Sequence, residues 1–547
     1  NEGVLPSPAM AQGIFTEVER DLLTAQGIEL ASGGKQKIFE EQFLIYRGLT
    51  RPSKGLWLTY AANDAEGREL SPSSLIERLQ RLDEGLQIEP MPAFDLEETA
   101  PTAVFHLLGG EMRKATAEAP LSPLWQDIYG FFDENSQWQK HLSLLKQGIG
   151  KTAKPERLSP KTAKALYGKN IFSSVSRLER FAGCPFSFFA EYGLKAEERR
   201  LYQLNTPDLG SLFHEVLELF SNKLEQDSLP WTSLTKEETT ARIHAAVEDA
   251  APRLGNRILL DSAANQYLIR RLKRISTRAA WTLVQHLQQG DFVPAGYEVG
   301  FGAHEALPPI VIRLQDGGSL ILNGKIDRVD LLDANGTRYV KIIDYKSGNK
   351  TFHFQDIYYG LQLQLLVYLD AYLKYYKKTG ASFKPGGVFY FRITDPTLAL
   401  DEELSAEAIE KILYEKMRMS GLLLQEDVLI HGLDHSLAES RSSAIVPVGY
   451  TKKGDPTAAS NLATEEQYAA ILDFVATRTQ EIGDAMKAGI ITPAPYRDGQ
   501  RTPCSYCSYR SLCRHSYGEA PRWRKLKKID KADFWESITP KQPPETE

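Results

Sequence analysis

One β-rich stretch with acids embedded in it constrains this chain more tightly than any other feature. From Ile321 to Lys346 it reads ILNGKIDRVDLLDANGTRYVKIIDYK. Two strand-forming runs, Ser319 to Leu332 and Arg338 to Tyr345, flank Asp333-Ala334-Asn335-Gly336, whose residues tolerate the left-handed conformations of a hairpin turn. Each run carries an acid where a half-buried strand should carry an aliphatic side chain. In the second run Val340, Ile342, Asp344 and Lys346 share one face at period two, so a carboxylate and an ammonium project together. In the first, Asp327 sits among Ile326, Val329 and Leu331, while Asp330 belongs to the opposite face. Two carboxylates on adjacent strands repel unless a cation lies between them, and oxygen ligation suits Mg²⁺. Lys346 then faces the water that such a cation holds.

Other residues can complete that site. Leu209, Leu212, Phe213, Val216, Leu217 and Phe220 form a helical core stripe through which His214 projects. A lone histidine beside such a stripe is ordinarily structural, but with Asp327 and Asp344 it reads as a metal ligand. Adding the backbone carbonyl of Tyr345 gives a mixed set that accepts Mg²⁺ and suits Mn²⁺ better. Glu215 and Glu218 are expected to point outward or to sit behind the ligands. Leu361, Leu365, Leu366 and Leu369 make a second core helix, in which Gln364 and Tyr368 are polar groups needing partners. Burial near a cation should also favour a low pKa for Lys346.

A chain of 547 residues should hold two or more domains. Its net charge of −6 argues against wholesale coating of nucleic acid, so any DNA contact must be local. Arg271, Arg274 and Arg278 lie at i, i+3 and i+7, a row suited to phosphates, although a solvated charged face explains such a row equally well. The basic tail Arg522 to Lys528 is ambiguous in the same way. With no long apolar run and no signal-like start, the sequence points to the cytoplasm and away from membranes. The first residue, Asn1, suggests a chain cut from a longer one. In that compartment the four cysteines, Cys184, Cys504, Cys507 and Cys513, suggest one four-thiolate site rather than disulfides.

Several of these motifs together resemble the PD-(D/E)XK nucleases. GKIDRVD followed by IIDYKSG matches their core, with Asp344-Tyr345-Lys346 as the D-x-K element. Gly210 to His214 resembles the G-x-x-x-H helix, and Gln364 to Tyr368 the Q-x-x-x-Y helix, of the bacterial recombination nucleases. Gly387 to Ile393 supplies a further strand. The resemblance implies catalytic roles for Asp327, Asp344, Lys346, Gln364 and Tyr368, and a metal held by His214, Asp327, Asp344 and Tyr345. The triplet Cys504, Cys507 and Cys513 with distant Cys184 resembles the iron–sulfur arrangement of AddB-type subunits and Cas4-type nucleases, which implies a [4Fe–4S] cluster.

Residues 1 to about 79 resemble the closing part of the second RecA-like domain of superfamily 1 helicases, including motif VI, where Thr50-Arg51 would put Arg51 near a nucleotide. Pro52 departs from that motif. The chain contains no G-x-x-x-x-G-K-[ST] loop, so ATP hydrolysis is not expected of it alone. The expected α/β architecture is thus a RecA-like remnant (1–89), a linker and helical connector (90–166) with helices near 103–115 and 124–145, and a RecB-like nuclease domain bracketed by an iron–sulfur site (167–547). This order resembles the AddB-type family of helicase–nuclease subunits. It implies a metal-dependent exonuclease that partners an AddA-type motor at double-strand breaks, acts on duplex ends and single-stranded DNA, and degrades the 5′-terminated strand. The alternatives are a self-sufficient Cas4-like exonuclease and an inactive DNA-binding scaffold.

Overall fold

A computed structural model describes residues 5, 15–28, 30, 34–62, 69–83, 85–89, 99–115, 120–149, 157–197, 206–253, 263–398, 404–513 and 523–539. Most of the opening NEGVLPSPAM, the linker at 90–98 and Arg522 lie outside them. The chain forms two compact units, Asn1–Thr152 and Ala153–Glu547.

The described part of the first unit is mainly helical. Helix Gly34–Thr50 stops before Pro52, which disfavours helical geometry in the residue preceding it, so exposed Arg51 lies just past the helix end. Further on, Pro101–Lys114, Pro123–Glu134 and Ser136–Ile149 enclose a small core of Val104, Leu108, Phe132 and Leu142. The single helix expected over 124–145 is therefore two. Asn135 breaks it: its side-chain oxygen accepts the Gln137 N–H at 3.0 Å, starting a new helix.

In the second unit, strand β1 (Asn170–Ser173) precedes helix α1 (Val175–Gly183). Three helices follow and pack on one another: α2 (Thr206–Gln226), α3 (Lys236–Ala250) and α4 (Ala263–Gln288). Next come β2 (Val293–Phe301), β3 (Ile310–Arg313), β4 (Ser319–Leu322), β5 (Gly324–Ala334) and β6 (Thr337–Lys346). Helix α5 (Gln364–Lys378), β7 (Phe383–Arg392), β8 (Ser420–Leu424), β9 (Leu462–Ala463) and α6 (Glu465–Lys487) complete the core. Residues 157–166, expected in the connector, are tied into this unit: Leu158 N–H donates to the Gly489 carbonyl at 2.9 Å and Arg157 bridges Ile490.

The main sheet runs β2-β5-β6-β7-β8-β9, with β6 and β7 parallel, and a smaller sheet runs β1-β4-β3. The run expected as one strand, Ser319 to Leu332, is split at Asn323, whose N–H donates to the Ser173 carbonyl at 3.1 Å, so its halves join different sheets. The hairpin turn is the pair Asn335-Gly336, both at positive φ (51° and 75°), as a two-residue turn matched to strand twist requires. Beneath the sheet's other face, Asp330 is buried and accepts from Arg328 at 2.6 Å and from Lys341 at 2.9 Å. The Arg328 guanidinium also lies 4.7 Å from the Trp231 ring centre. Strand alternation thus separates this buried ion cluster from Asp344 and Lys346.

Candidate functional site

Register places three carboxylates in a row. Asp327 follows the pair Arg328↔Ile343, which sets it opposite Asp344 on β6. On its other side, Glu298 falls between the pairs Tyr297↔Arg328 and Val299↔Ile326, which sets it opposite Asp327 from β2. Side chains directly opposite across a ladder share a face. Asp327 and Asp344 are buried and Glu298 nearly so.

His214 closes the arrangement from α2, its Nδ1 3.3 Å from Asp327 Oδ2. The Tyr345 backbone N–H donates to the same oxygen at 2.6 Å, fixing the carboxylate. The donor atoms of His214, Glu298 and Asp327 all lie within 4.8 Å of one another, a spacing that one cation can bridge. This group adds Glu298 to the expected ligands His214 and Asp327, and Asp344 beside it faces Lys346 Nζ at 2.5 Å and Gln364 Nε2 at 2.7 Å. Asp344 Oδ2 is buried and, apart from that ion-pair contact with Lys346, has no hydrogen-bond partner, the state of an oxygen with room for a cation. A neutral imidazole and three carboxylates suit Mn²⁺ or Mg²⁺.

Electrostatics follow from burial and crowding. Burial, then the Asp327 charge, pushes the Asp344 carboxyl up to about 6. Burial, then Asp327 and Glu218, pushes Glu298 up to about 7. Burial pulls the Lys346 ammonium down, but Asp344 beside it outweighs burial and holds its pKa above the ordinary lysine value; the expected low value concerned a lysine beside a bound cation. His214 is likewise raised: burial opposes the charge, and the bond to Asp327 more than offsets it.

The Q-x-x-x-Y helix is fitted to this row. Gln364 donates to Asp344 Oδ1 and accepts from Lys346 at 3.4 Å, so one amide spans both groups. Tyr368 lies against Gly324, where a Cβ would stand 2.1 Å from its hydroxyl, so only glycine lets the tyrosine approach the strand carrying Asp327. Helix α5 lacks a cap of its own. Glu179 of α1 supplies one, its Oε1 accepting from Leu363 N at 2.7 Å and Gln364 N at 3.1 Å, while its Oε2 meets Lys350 at 3.1 Å.

Sequence reasoning missed Glu298 and Glu179. Glu298 carries the signal that revealed Asp327, an acid interrupting a β-rich run, in Gly296-Tyr297-Glu298-Val299-Gly300. Glu179 carries no local signal, because its contact lies 184 residues away in sequence.

The four cysteines are free thiols, with Cys184 buried. The Cys504 charge is felt at Cys184, and those of Cys507 and Cys513 at Cys504. Burial pushes the Cys184 thiol up, and the backbone N–H groups of Ser187, Ala494 and Phe186 that face its sulfur only partly oppose this. In the tail, Arg524 is held rather than free: it bonds the Ala182 carbonyl and lies close enough to feel the charge of Cys184. The arginine row of α4 is also not free, since Arg274 and Arg278 share Asp395 at 2.8 and 3.2 Å while Arg271 is exposed. Among the described residues, no helix is long and apolar enough to cross a membrane.

Comparison with known proteins gives the family. Residues 173–514 match the PD-(D/E)XK nuclease superfamily, and residues 99–148 match the fifth domain of the ATP-dependent helicase/deoxyribonuclease AddB. The chain is 38% identical over 546 residues to an ATP-dependent helicase/deoxyribonuclease subunit of Alkaliphilus oremlandii, covering 98% of this chain and 47% of that protein. It is 39% identical over 520 residues to the like-named protein of Alkaliphilus metalliredigens, covering 94% and 45%. The chain spans about half the length of the curated relatives it matches.

Proposed function

The chain belongs to the PD-(D/E)XK nuclease superfamily and is homologous to the AddB subunit, and on that premise we propose that it hydrolyses DNA phosphodiesters with Mg²⁺ or Mn²⁺. The observation that carries this reading is the row Glu298, Asp327 and Asp344, met by His214 on one side and Lys346 on the other.

His214, Glu298 and Asp327 would hold the metal, with Asp344 beside them. When bound, a divalent cation polarises the scissile phosphate and acidifies its water. Lys346 is held as an ammonium by Asp344 and Gln364, so it donates hydrogen bonds to a phosphate oxygen or to the attacking water and does not take a proton. Gln364 fixes the distance between that ammonium and Asp344. Tyr368 braces β5 and thereby the position of Asp327.

As a subunit the chain is read as the nuclease of a helicase–nuclease complex in double-strand break repair. An AddA-type partner supplies the motor, duplex ends and single strands are the substrates, and the 5′-terminated strand is degraded. Cys184, Cys504, Cys507 and Cys513 are read as ligands of a [4Fe–4S] cluster, and Arg51 as a nucleotide-associated residue that cannot act alone. The test is one gel. End-labelled duplex and single-stranded DNA are incubated with the chain, with and without an AddA-type partner, in Mg²⁺, Mn²⁺ or EDTA. Metal-dependent shortening of DNA is expected. No cleavage in any arm, with metal bound and the partner active, would leave only a DNA-binding scaffold.

A further inference from the structure

Helix α4 lines a cavity of about 400 Å³ with Lys236 and with helix Ala406–Lys416, well within the size range of small-ligand sites. Five lysine and arginine side chains line it, against a single acid, Glu410. Asp395 and Glu248 also pair with some of these cations, yet positive groups still outnumber acids. Arg270 pairs with no acid among the described residues. Behind this cationic rim the wall is apolar and aromatic, formed by Trp281, Tyr414, Leu413 and Met417. The hydroxyls of Thr277 and Tyr414 are buried without a hydrogen-bond partner, so the lining contains polar groups that the fold leaves unsatisfied.

A cationic rim over an aromatic wall fits a ligand that is anionic at one end and flat at the other. Single-stranded nucleic acid sites join the same two components, a positive groove and a ring for bases to stack on. Position favours a strand. Asp395, clamped by Arg274 and Arg278, lies just beyond β7, whose last residue Arg392 is the register partner of Lys346. We propose that this cavity binds one nucleotide of a DNA single strand, its phosphate at Arg270 and its base against Trp281. The occupant's identity rests on the nuclease reading, whereas the cavity's preference for such a ligand can be measured without cleavage.

The full chain in EDTA is titrated into a fluorescent single-stranded dT oligonucleotide and followed by anisotropy. Arg270→Glu should weaken binding tenfold or more. Arg271→Glu, which changes the neighbouring exposed arginine outside the lining, should stay within about threefold. Trp281→Leu should weaken binding and Trp281→Phe should largely restore it, with circular dichroism confirming that both variants fold. Equal losses for Arg270→Glu and Arg271→Glu would mean diffuse charge attraction and would overturn the proposal. So would free dTMP competing as tightly as the strand. Normal cleavage by a chain whose Arg270→Glu form binds normally defeats the cavity alone. Oligonucleotide binding lost as expected, in a chain that never cleaves, defeats only the nuclease reading.

Discussion

Glu298 stands directly across the β2–β5 ladder from Asp327, and it does so with a left-handed backbone, φ 46°. For a residue with a Cβ that conformation costs about 1–2 kcal/mol. The two carboxylates it brings together repel in addition. A strained strand residue that juxtaposes like charges is what a cation site accommodates and what packing alone would avoid.

Glu298→Gln should therefore leave the chain folded while weakening Mn²⁺ binding by about tenfold or more. Titration calorimetry, or the electron paramagnetic resonance of free Mn²⁺, reads this directly. Unchanged Mn²⁺ affinity would remove Glu298 from the site.

Asp344→Ala should abolish cleavage with DNA affinity nearly intact, because strand binding rests on distributed phosphate contacts. Lys346→Ala should slow cleavage without releasing metal. Cleavage at the parent rate by pure Asp344→Ala protein would refute the assignment.

The raised carboxyls predict an unusual pH dependence. Asp344 at about 6 and Glu298 at about 7 keep protons that unfolded carboxylates release near pH 4, so the folded state binds more protons between roughly pH 4 and 7. In EDTA, stability should fall as pH rises through that window, and Mn²⁺ should restore it at pH 7.5. Thermal melts of the parent and Asp344→Asn chains test this. A parent melting point that climbs from pH 5 to 7.5 in EDTA by as much as that of the variant contradicts it.

Cys184→Ala should release iron. The protein purified without oxygen should be brown, absorbing broadly near 400 nm with about four irons per chain. Tying Cys184 to the triplet also restrains a loop long enough to remove roughly 5 kcal/mol from the unfolded ensemble, so the variant should melt lower. A colourless parent holding one zinc, or a variant keeping all its iron, counts against the cluster.

ATP turnover is not expected from this chain alone, since Arg51 has no phosphate-binding loop to work with. Hydrolysis without a partner, lost in Arg51→Ala, would reverse that reading.

What could be read from sequence was whatever alternation and helical spacing encode. The acids on β5 and β6 and the facing of Asp330 away from Asp344 are local consequences of a two-residue period, and the turn expected over 333–336 narrows to Asn335-Gly336 because Asp333 and Ala334 still pair in β5. The split at Asn323 was not legible, because both halves are strand-like and only pairing partners decide which sheet each joins. Nor was the loss of two arginines to Asp395, which depends on where the chain runs after β7. The balance at Lys346 was not legible either: burial and its neighbour act in opposite directions, and only geometry shows that Asp344 outweighs burial.

Helix α1 touches two chemistries at once. Its Glu179 holds the first turn of α5, from which Gln364 reaches Asp344, and its last residue adjoins Cys184. One short helix thus joins the neighbourhood of Cys184 to the amide that spaces Lys346 from Asp344. On the proposed cluster and nuclease readings, oxidising the four cysteines is expected to disturb hydrolysis through this helix, with every proposed nuclease residue still chemically intact.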